Sequence, residues 1–257
     1  VGEMEAIDVL TGYRREIALN RGISFDTISG ADNNGAIVHY RASYESERFL
    51  GQGSMYLVDS GGQYLDGTTD ITRTVAIGTP SADMKRHFTL VLQGHIAIAR
   101  AVFPEKATGG QLDALARQFL WHDGLDYDHG TGHGVGSFLG VHEGPHRISP
   151  NFPGTFKPGM IVSNEPGLYI TDTYGIRIEN LLTVLTSDQG SEDRKFLEFE
   201  TLTVVPIDRN LIDVEMLSGP EKNWVDNYHA RVSRTVGPNL EDQDKSWLEK
   251  MTAPLDH

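Results

Sequence analysis

The chain has 257 residues, of which 39% are hydrophobic and 23% charged, so it has enough apolar material for a substantial core, and wholesale disorder is excluded. Its formal net charge of −14 argues against nucleic acid or an anionic membrane as a partner, because neither offers complementary charge. The absence of cysteine excludes disulfides, thiolate metal sites and cysteine nucleophiles, and it fits the reducing cytoplasm that we expect as the location.

The first half of the chain predicts a succession of helices and strands. Residues 3–20 carry apolar side chains close to helical spacing and predict an amphipathic helix. A turn-rich loop leads to a short predicted strand at about residues 36–40, and residues 55–77 then predict a β-hairpin. Two helices follow, one from an N-cap at Ser81 to about residue 103 and one over about residues 111–122.

The second half begins with a glycine-dense loop, "DHGTGHGVGSFLGVHEGP", followed by two predicted strands around a turn within residues 157–185. Another strand is predicted within residues 196–208, and a final amphipathic helix over residues 218–236. No low-complexity tract or Pro/Ser-rich linker divides the chain, and no apolar run approaches the roughly 18 residues that span a bilayer. We therefore predict one α+β domain over residues 1–257 and no membrane partner.

Carboxylates occur at positions where strands rarely carry them. Asp59 and Asp70 each adjoin an apolar, strand-like run of the predicted hairpin, whereas Asp66 precedes a glycine and is explained by turn chemistry. The same order of strand, acidic residue, turn, acidic residue and strand recurs later with Glu165 and Glu179. The recurrence predicts two hairpins related by an approximate two-fold axis, each of which gives two carboxylates to a shared centre.

Each candidate residue also has an ordinary structural explanation. Asp59 could flank a turn, Glu165 in "NEPG" could cap one, and Glu179 could be a surface charge paired with Arg177. His39 follows an apolar pair and could be a packed histidine. The residues indicate a site only when they are taken together as an ordered set.

Four converging carboxylates would repel one another, so such a cluster needs cations. The glycine-dense loop adds His129, His133 and His142, and glycines alternate around His133. Oxygen ligands with one imidazole suit Mn²⁺, Fe²⁺, Co²⁺ or Zn²⁺, and two metal ions roughly 3.5–4 Å apart form the usual co-catalytic site of hydrolases. A phosphate-binding loop is the alternative for the glycines, but the loop has neither a GK[ST] sequence nor G-x-G-x-x-G spacing.

The ordered motifs resemble those of the pita-bread metallopeptidases, which include methionine aminopeptidase, prolidase and aminopeptidase P. The shared pattern is D-x₁₀-D, a glycine-flanked histidine, a glutamate in "NEPG" and a glutamate in "IRIEN". The resemblance implies an α+β pita-bread fold, with two pseudo-symmetric halves of antiparallel β-hairpins and outer helices. It also implies five metal ligands: Asp59 on one ion, Asp70 and Glu179 bridging both, and His133 and Glu165 completing the other.

The resemblance also assigns roles in catalysis. Glu165, besides binding a metal ion, would be the proton shuttle, and His142 would stabilise the oxyanion. The residues expected to support the carboxylates or line the substrate pocket are Arg177, Tyr169, His39 and His129. The implied cofactors are two divalent ions, Mn²⁺ in most of the family, with Co²⁺ or Zn²⁺ as alternatives.

Within that group the chain is most similar to the aminopeptidase P branch, through "GTGHGVGSFLGVHEGP", "NEPGLY" and the tail "FETLTVVPIDRNLID". The resemblance implies hydrolysis of the N-terminal Xaa-Pro bond by a metal-bridging hydroxide, with peptides that have proline second as substrates. Prolidase, which cleaves Xaa-Pro dipeptides, and an inactive binding module of the same fold are the alternatives. The chain starts with Val and lacks the N-terminal domains of that branch, so we expect the catalytic domain alone, with a homodimer as a candidate assembly.

Overall fold

The computed structural model describes residues 1–255, and the last two positions of the predicted 1–257 domain lie outside the described residues. Five α-helices lie within this range: α1 Glu3–Arg15, α2 Ala82–Ala99, α3 Gly109–His122, α4 Gly219–Val236 and α5 Asp242–Met251. The strands within it are β1 Asn20–Ile23, β2 Ile28–Ala31, β3 Met55–Ser60, β4 Gly62–Tyr64, β5 Gly67–Thr68, β6 Ile71–Ala76, β7 Val102–Pro104, β8 Gly132–His133, β9 Arg147–Ile148, β10 Ile161–Asn164, β11 Gly167–Ile170, β12 Tyr174–Arg177, β13 Asn180–Ser191 and β14 Arg194–Thr201.

All strand pairs in the named sheets are antiparallel, and two of the sheets are built in the same way. In the first, β3 pairs with β6, and the chain between them forms the short ribbon of β4 and β5. In the second, β10 pairs with β13, and the chain between them forms the ribbon of β11 and β12. Strand β2 adds to the first pair, and β14 and β7 add to the second. This is the predicted α+β architecture with two similarly built halves.

Helix α2 joins the two large apolar clusters of the core. Ser81 caps its N-terminus, since its Oγ accepts the backbone N–H of Met84 at 3.2 Å. Phe88 and Leu92 pack in one cluster, and Ile98 packs in the other. Every residue of α2 from Phe88 to Ala99 except Ala97 is buried, so this part of the helix is covered on nearly all sides and is central to the fold. None of the helices within residues 1–255 is long and apolar enough to cross a membrane.

Five expectations about elements need correction. The helix predicted to run to about residue 103 ends at Ala99, because Val102–Pro104 pairs with β14 as a strand. The helix predicted over 3–20 ends at Arg15, because Asn20 already pairs with β4. The strand predicted at about 36–40 is a series of turns, and the strand lies earlier, at Ile28–Ala31. Both edges of β3 are taken by β2 and β6, so residues 36–40 have no edge of that strand to pair with. The two strands predicted within residues 157–185 are four, and a further helix, α5, follows the predicted last one.

Candidate metal centre

A cavity of about 680 Å³ brings together nine of the ten candidate residues. The nine that line it are His39, Asp59, Asp70, His129, His133, His142, Glu165, Arg177 and Glu179. The tenth, Tyr169, contacts two of them through its hydroxyl. Residues more than a hundred positions apart in the chain therefore share one cavity, as their order predicted.

The four carboxylates lie at equivalent places in the two halves of the fold. Asp59 lies near the end of β3, opposite Thr72 of β6, and Asp70 immediately precedes β6. Glu165 lies between β10 and β11, and Glu179 lies between β12 and β13. Each pair of acids thus flanks the point where the inner ribbon branches from the outer hairpin. The predicted correspondence between the two hairpins is present in the strand order.

Two threonines of β6 join the two halves at the site. The hydroxyl of Thr72 donates to Glu179 Oε2 at 2.7 Å, and the backbone N–H of Glu179 donates to the Thr72 carbonyl at 3.1 Å. The backbone N–H of Arg177 donates to Thr74 Oγ1 at 3.0 Å, and that hydroxyl donates to the Arg177 carbonyl at 3.1 Å. These bonds fix Glu179 relative to the strand that follows Asp70.

His133 lies between two carboxylates. Its Nε2 atom is 3.2 Å from Glu165 Oε1 and 3.4 Å from Asp70 Oδ2, while Nδ1 is 3.0 Å from the Gly134 carbonyl. A proton on Nδ1 would satisfy that carbonyl and leave Nε2 as the atom that faces the acids. His133 thus presents one ring nitrogen to the centre.

The glycines beside His133 are required by close approach of the backbone. A Cβ on Gly132 would lie 1.9 Å from the Ser163 carbonyl oxygen, and one on Gly134 would lie 2.0 Å from the Glu143 carbonyl oxygen. The absence of side chains lets β8 lie directly against β10 and the loop around Glu143. These glycines therefore allow the close strand contacts that hold His133 beside the carboxylates.

Three of the predicted ligands meet closely enough to bind one ion. The ligand atoms of Asp70, His133 and Glu179 all lie within 4.8 Å of one another. Asp59 and Glu165 are outside this group of three, but both line the same cavity. Asp59 Oδ1 is buried and has no hydrogen-bond partner among the described residues. A buried carboxylate oxygen without a partner is costly, and a bound cation would satisfy it.

Three of the carboxyl groups are poorly stabilised as anions. Burial, followed by the charges of Asp59 and Glu165, raises the pKa of Asp70 to about 7. Burial, followed by the charge of Asp70, raises the pKa of Glu179 well above its ordinary value. Burial also raises the pKa of Asp59, although Arg177 acts in the opposite direction. The protein alone does not supply the positive charge that these acids need.

His133 and Glu165 shift in the directions of an ion pair. Burial lowers the pKa of His133, but its hydrogen bonds with Asp70 and Glu165 outweigh burial and raise it to about 11. Burial raises the pKa of Glu165, but the hydrogen bond and charge of His133 outweigh it and lower the value to about 2. The cations that contact these acids are Arg177 and a protonated His133, so four ionised carboxylates leave an excess of two negative charges among the contacting groups. The donor set fits divalent cations with mainly oxygen ligands.

Arg177, Tyr169 and His129 form a hydrogen-bonded chain beside Asp59. Arg177 donates to Asp59 Oδ2 at 2.8 Å and to the Tyr169 hydroxyl at 2.6 Å. Since that hydroxyl accepts from Arg177, it donates its own proton to His129 Nε2 at 2.9 Å, and His129 Nδ1 donates to the Gly130 carbonyl at 2.8 Å. Burial lowers the pKa of His129, consistent with a neutral ring. The chain holds Asp59 and one wall of the cavity in place.

His142 and His39 are exposed residues on the lining of the cavity. The His142 ring stands edge-on to the His133 ring, with centroids 4.1 Å apart. Burial, followed by the charge of His133, lowers the pKa of His142. Both residues can reach a molecule bound in the cavity, whereas His129 is held by Tyr169.

The sequence of residues 1–186 matches metallopeptidase family M24, and residues 195–255 match the C-terminal region of that family. The chain belongs to metallopeptidase family M24. Within this family, the chain is 49% identical over 264 residues to "Probable Xaa-Pro aminopeptidase P" of Laccaria bicolor and 46% identical over 263 residues to "Aminopeptidase P1" of Lotus japonicus. These alignments cover 99% and 98% of the chain but 41% and 39% of the relatives. The M24 chain thus spans about two fifths of the length of these relatives.

Solved structures of M24 enzymes confirm the predicted pita-bread fold. The X-prolyl aminopeptidase of Caenorhabditis elegans, described as a cytosolic enzyme with a di-nuclear active site, superposes with a TM-score of 0.93 at 40% identity. The superposition covers 98% of this chain and 42% of the Caenorhabditis elegans enzyme. The Xaa-Pro dipeptidase of Bacillus anthracis superposes with a TM-score of 0.69 at 29% identity, covering 81% of this chain and 54% of its own.

Sequence reasoning about this M24 chain missed Arg73, the residue that supports Glu179 from behind. Its buried guanidinium donates to the carbonyls of Thr72, Glu179, Val205 and Pro206, to Asn180 Oδ1 and to the Tyr228 hydroxyl, at 2.6–3.0 Å. The only signal was an arginine within the otherwise apolar and threonine-rich run "ITRTVAI". Thr72 and Ser163, whose hydroxyls bond Glu179 and Glu165, were missed as well.

Proposed function

We propose that this chain is a dinuclear metal-dependent aminopeptidase that hydrolyses the N-terminal Xaa-Pro bond of peptides. The observation that carries the proposal is the convergence of four carboxylates and His133 in one cavity, with an excess of negative charge and an orphaned oxygen on Asp59. The names of the relatives from Laccaria bicolor, Lotus japonicus and Caenorhabditis elegans support the substrate class.

The ligands in this proposal are the five that the sequence predicted: Asp59, Asp70, His133, Glu165 and Glu179. When bound, the two divalent ions would activate a water as nucleophile and polarise the scissile carbonyl. Mainly oxygen donors with one imidazole suit Mn²⁺, Co²⁺ or Zn²⁺, and the family resemblance supports Mn²⁺ among them.

Glu165 is the proposed base of the reaction. Ser163 Oγ donates to Glu165 Oε1 at 3.0 Å and holds this carboxylate on the lining of the cavity, where it can reach a bound water. It would take a proton from that water and pass it to the leaving amine. His142, exposed and next to His133, is placed to donate a hydrogen bond to the developing oxyanion.

The same cavity suits a bond before proline. The amide nitrogen of proline has no N–H, so the site needs no acceptor for one, and the ring fixes φ at about −65°. His39 and the neutral His129 ring line the cavity and would form part of the wall against the pyrrolidine. Arg177 and Tyr169 would hold Asp59 and His129 in register with the substrate.

Four broader features belong to the same proposal. The substrates would be peptides with proline in the second position, and residues 1–257 would act as one catalytic domain. The enzyme would work in the cytoplasm, as the Caenorhabditis elegans enzyme is described to do. A homodimer is the proposed assembly.

The test compares Xaa-Pro-Yyy peptides with Xaa-Pro dipeptides after the protein has been loaded with Mn²⁺. We expect hydrolysis of the longer peptide with about two metal ions bound per chain. Glu165→Ala should abolish turnover, and His142→Ala should reduce it while metal stays bound. Asp59→Asn should weaken metal binding, whereas Asp66→Asn, on the exposed turn between β4 and β5, is the matched control. A strong preference for the dipeptide would assign prolidase activity instead, and full activity without metal would refute the proposal.

A further inference from the structure

Arg147 lies on the lining of the catalytic cavity and was not among the predicted site residues. In the pairing of β8 with β9, His133 is directly opposite Arg147, and Gly132 is opposite Ile148. Ile148 is fully buried in the apolar core, so the alternation of a strand turns Arg147 to the opposite face. Directly opposed residues share a face, with Cβ atoms about 5 Å apart. Arg147 is therefore the cross-strand neighbour of a proposed metal ligand.

The guanidinium of Arg147 is not committed to any protein acceptor. Within residues 1–255 it has no hydrogen bond or ion pair, and its Cζ atom lies over the Phe152 ring, 5.5 Å from the centroid. The other two arginines on the lining are engaged: Arg177 with Asp59, and Arg41 with Asp26 at 3.6 Å. An aromatic face supports a guanidinium while leaving its N–H groups free to bind a planar anion.

A peptide substrate carries the anionic partner that the Arg147 guanidinium lacks within the protein. A peptide carries its ammonium group at one end and its carboxylate at the other, and the acids of the centre can attract only the first. In Xaa-Pro-Yyy, the terminal carboxylate lies two residues beyond the scissile carbonyl, or roughly 7 Å along an extended chain. This distance fits an arginine that begins one strand away from His133.

We propose that Arg147 is a specificity-determining residue that binds the C-terminal carboxylate of short Xaa-Pro-Yyy substrates. The proposal rests on the aminopeptidase function proposed above. Arg147 takes no part in bond cleavage, and it acts by holding the departing half of the peptide. The enzyme should therefore prefer short peptides with a free carboxylate over the same peptides with a C-terminal amide.

The test uses one Xaa-Pro-Yyy sequence as free acid and as C-terminal amide. For the unmodified chain we expect kcat/KM to be at least about fivefold higher for the acid, mainly through a lower KM. Arg147→Gln should bring this ratio close to one. Arg147→Lys should keep part of it, because the ammonium group keeps the positive charge but lacks the planar, bidentate geometry of a guanidinium. Arg194→Gln, an exposed arginine of β14 outside the cavity, is the matched control. An equal ratio for the unmodified chain and Arg147→Gln would overturn the proposal.

A binding measurement separates this proposal from the proposed function. The affinity of the Mn²⁺-loaded protein for the dipeptide product Pro-Yyy is compared with its affinity for the Pro-Yyy amide by calorimetry. Tighter binding of the acid that is lost in Arg147→Gln supports the carboxylate site even if no peptide is hydrolysed. Equal affinities for the acid and the amide would overturn it even if Xaa-Pro-Yyy is hydrolysed.

Discussion

Replacing Arg73 by methionine should weaken both the fold and the metal centre. The side chain is buried on β6, and its guanidinium joins Glu179 to the segment around Val205 and Pro206. Methionine keeps most of the apolar volume and removes every donor. The carbonyls of Glu179 and Pro206 then lose the donor that Arg73 supplies.

The size of the effect follows from those two acceptors. A buried polar group that loses its partner costs about 1–3 kcal/mol in the free energy of unfolding, which applies to the Glu179 carbonyl, and the half-buried Pro206 carbonyl adds less than that. For a chain of this length, each kcal/mol corresponds to about 2–4 °C in the unfolding midpoint. Glu179 should also lose its fixed backbone position, so the concentration of Mn²⁺ that half-saturates the protein should rise.

The assay is urea unfolding of the metal-free protein, with a separate Mn²⁺ titration of the folded protein. Arg73→Lys keeps the positive charge but has a single donor atom, so an intermediate loss is expected. Arg194→Met makes the same change at an exposed site and should alter stability by no more than about 0.5 kcal/mol. If the free energy of unfolding of Arg73→Met lies within about 0.5 kcal/mol of that of the unmodified chain, as for a surface change, and Mn²⁺ binds equally well, the reasoning is wrong.

Two further predictions concern packing and pH. Gly94→Ala should destabilise the chain by about 1–3 kcal/mol in thermal or urea unfolding, because the added Cβ would lie 2.2 Å from the Ala116 carbonyl oxygen. Gly12→Ala on α1 is the control: its Cβ would meet open space, so the change should be neutral or stabilising. Burial, followed by the charge of Arg73, lowers the pKa of fully buried His229 to about 4. As the pH falls, the unfolded chain therefore binds a proton at this histidine before the folded chain does. The contribution of His229 to the free energy of unfolding is complete above about pH 6.5 and is lost toward pH 4. Between pH 6.5 and pH 5 the loss is about 2 kcal/mol, and it should be absent in His229→Gln.

The candidate site could be predicted because its residues conflict with their local surroundings. Acidic residues beside apolar strands, as at Asp59 and Asp70, and glycines on both sides of His133 are each poorly explained by local structure. Their order along the chain then matched a family pattern. The fold gives the physical reason for that order, since each pair of acids flanks a ribbon that branches from an outer hairpin.

The features that sequence reasoning missed depend on partners distant in the chain. Nothing local distinguishes residues 36–40 from a strand, and the outcome was decided by which segments occupy the edges of β3. The run around Arg73 gives only a weak local sign of burial, because all of its hydrogen-bond partners except the Thr72 carbonyl lie more than a hundred residues away. Arg147 likewise becomes a candidate site residue only through the pairing of β8 with β9, which places it opposite His133.

The two ends of the chain support different parts of the cavity, which bears on how much of the chain the metal centre needs. Near the N-terminus, the fully buried carboxylate of Glu3 accepts hydrogen bonds from the Ala31 backbone and the Tyr40 hydroxyl, and Tyr40 follows His39 on the lining. Near the C-terminus, Tyr228 on α4 contacts the same guanidinium of Arg73 that holds the Glu179 carbonyl. A fragment limited to the two hairpins would lose both supports. We infer that the C-terminal region, although it contributes no proposed ligand, is needed for a metal centre of the observed shape.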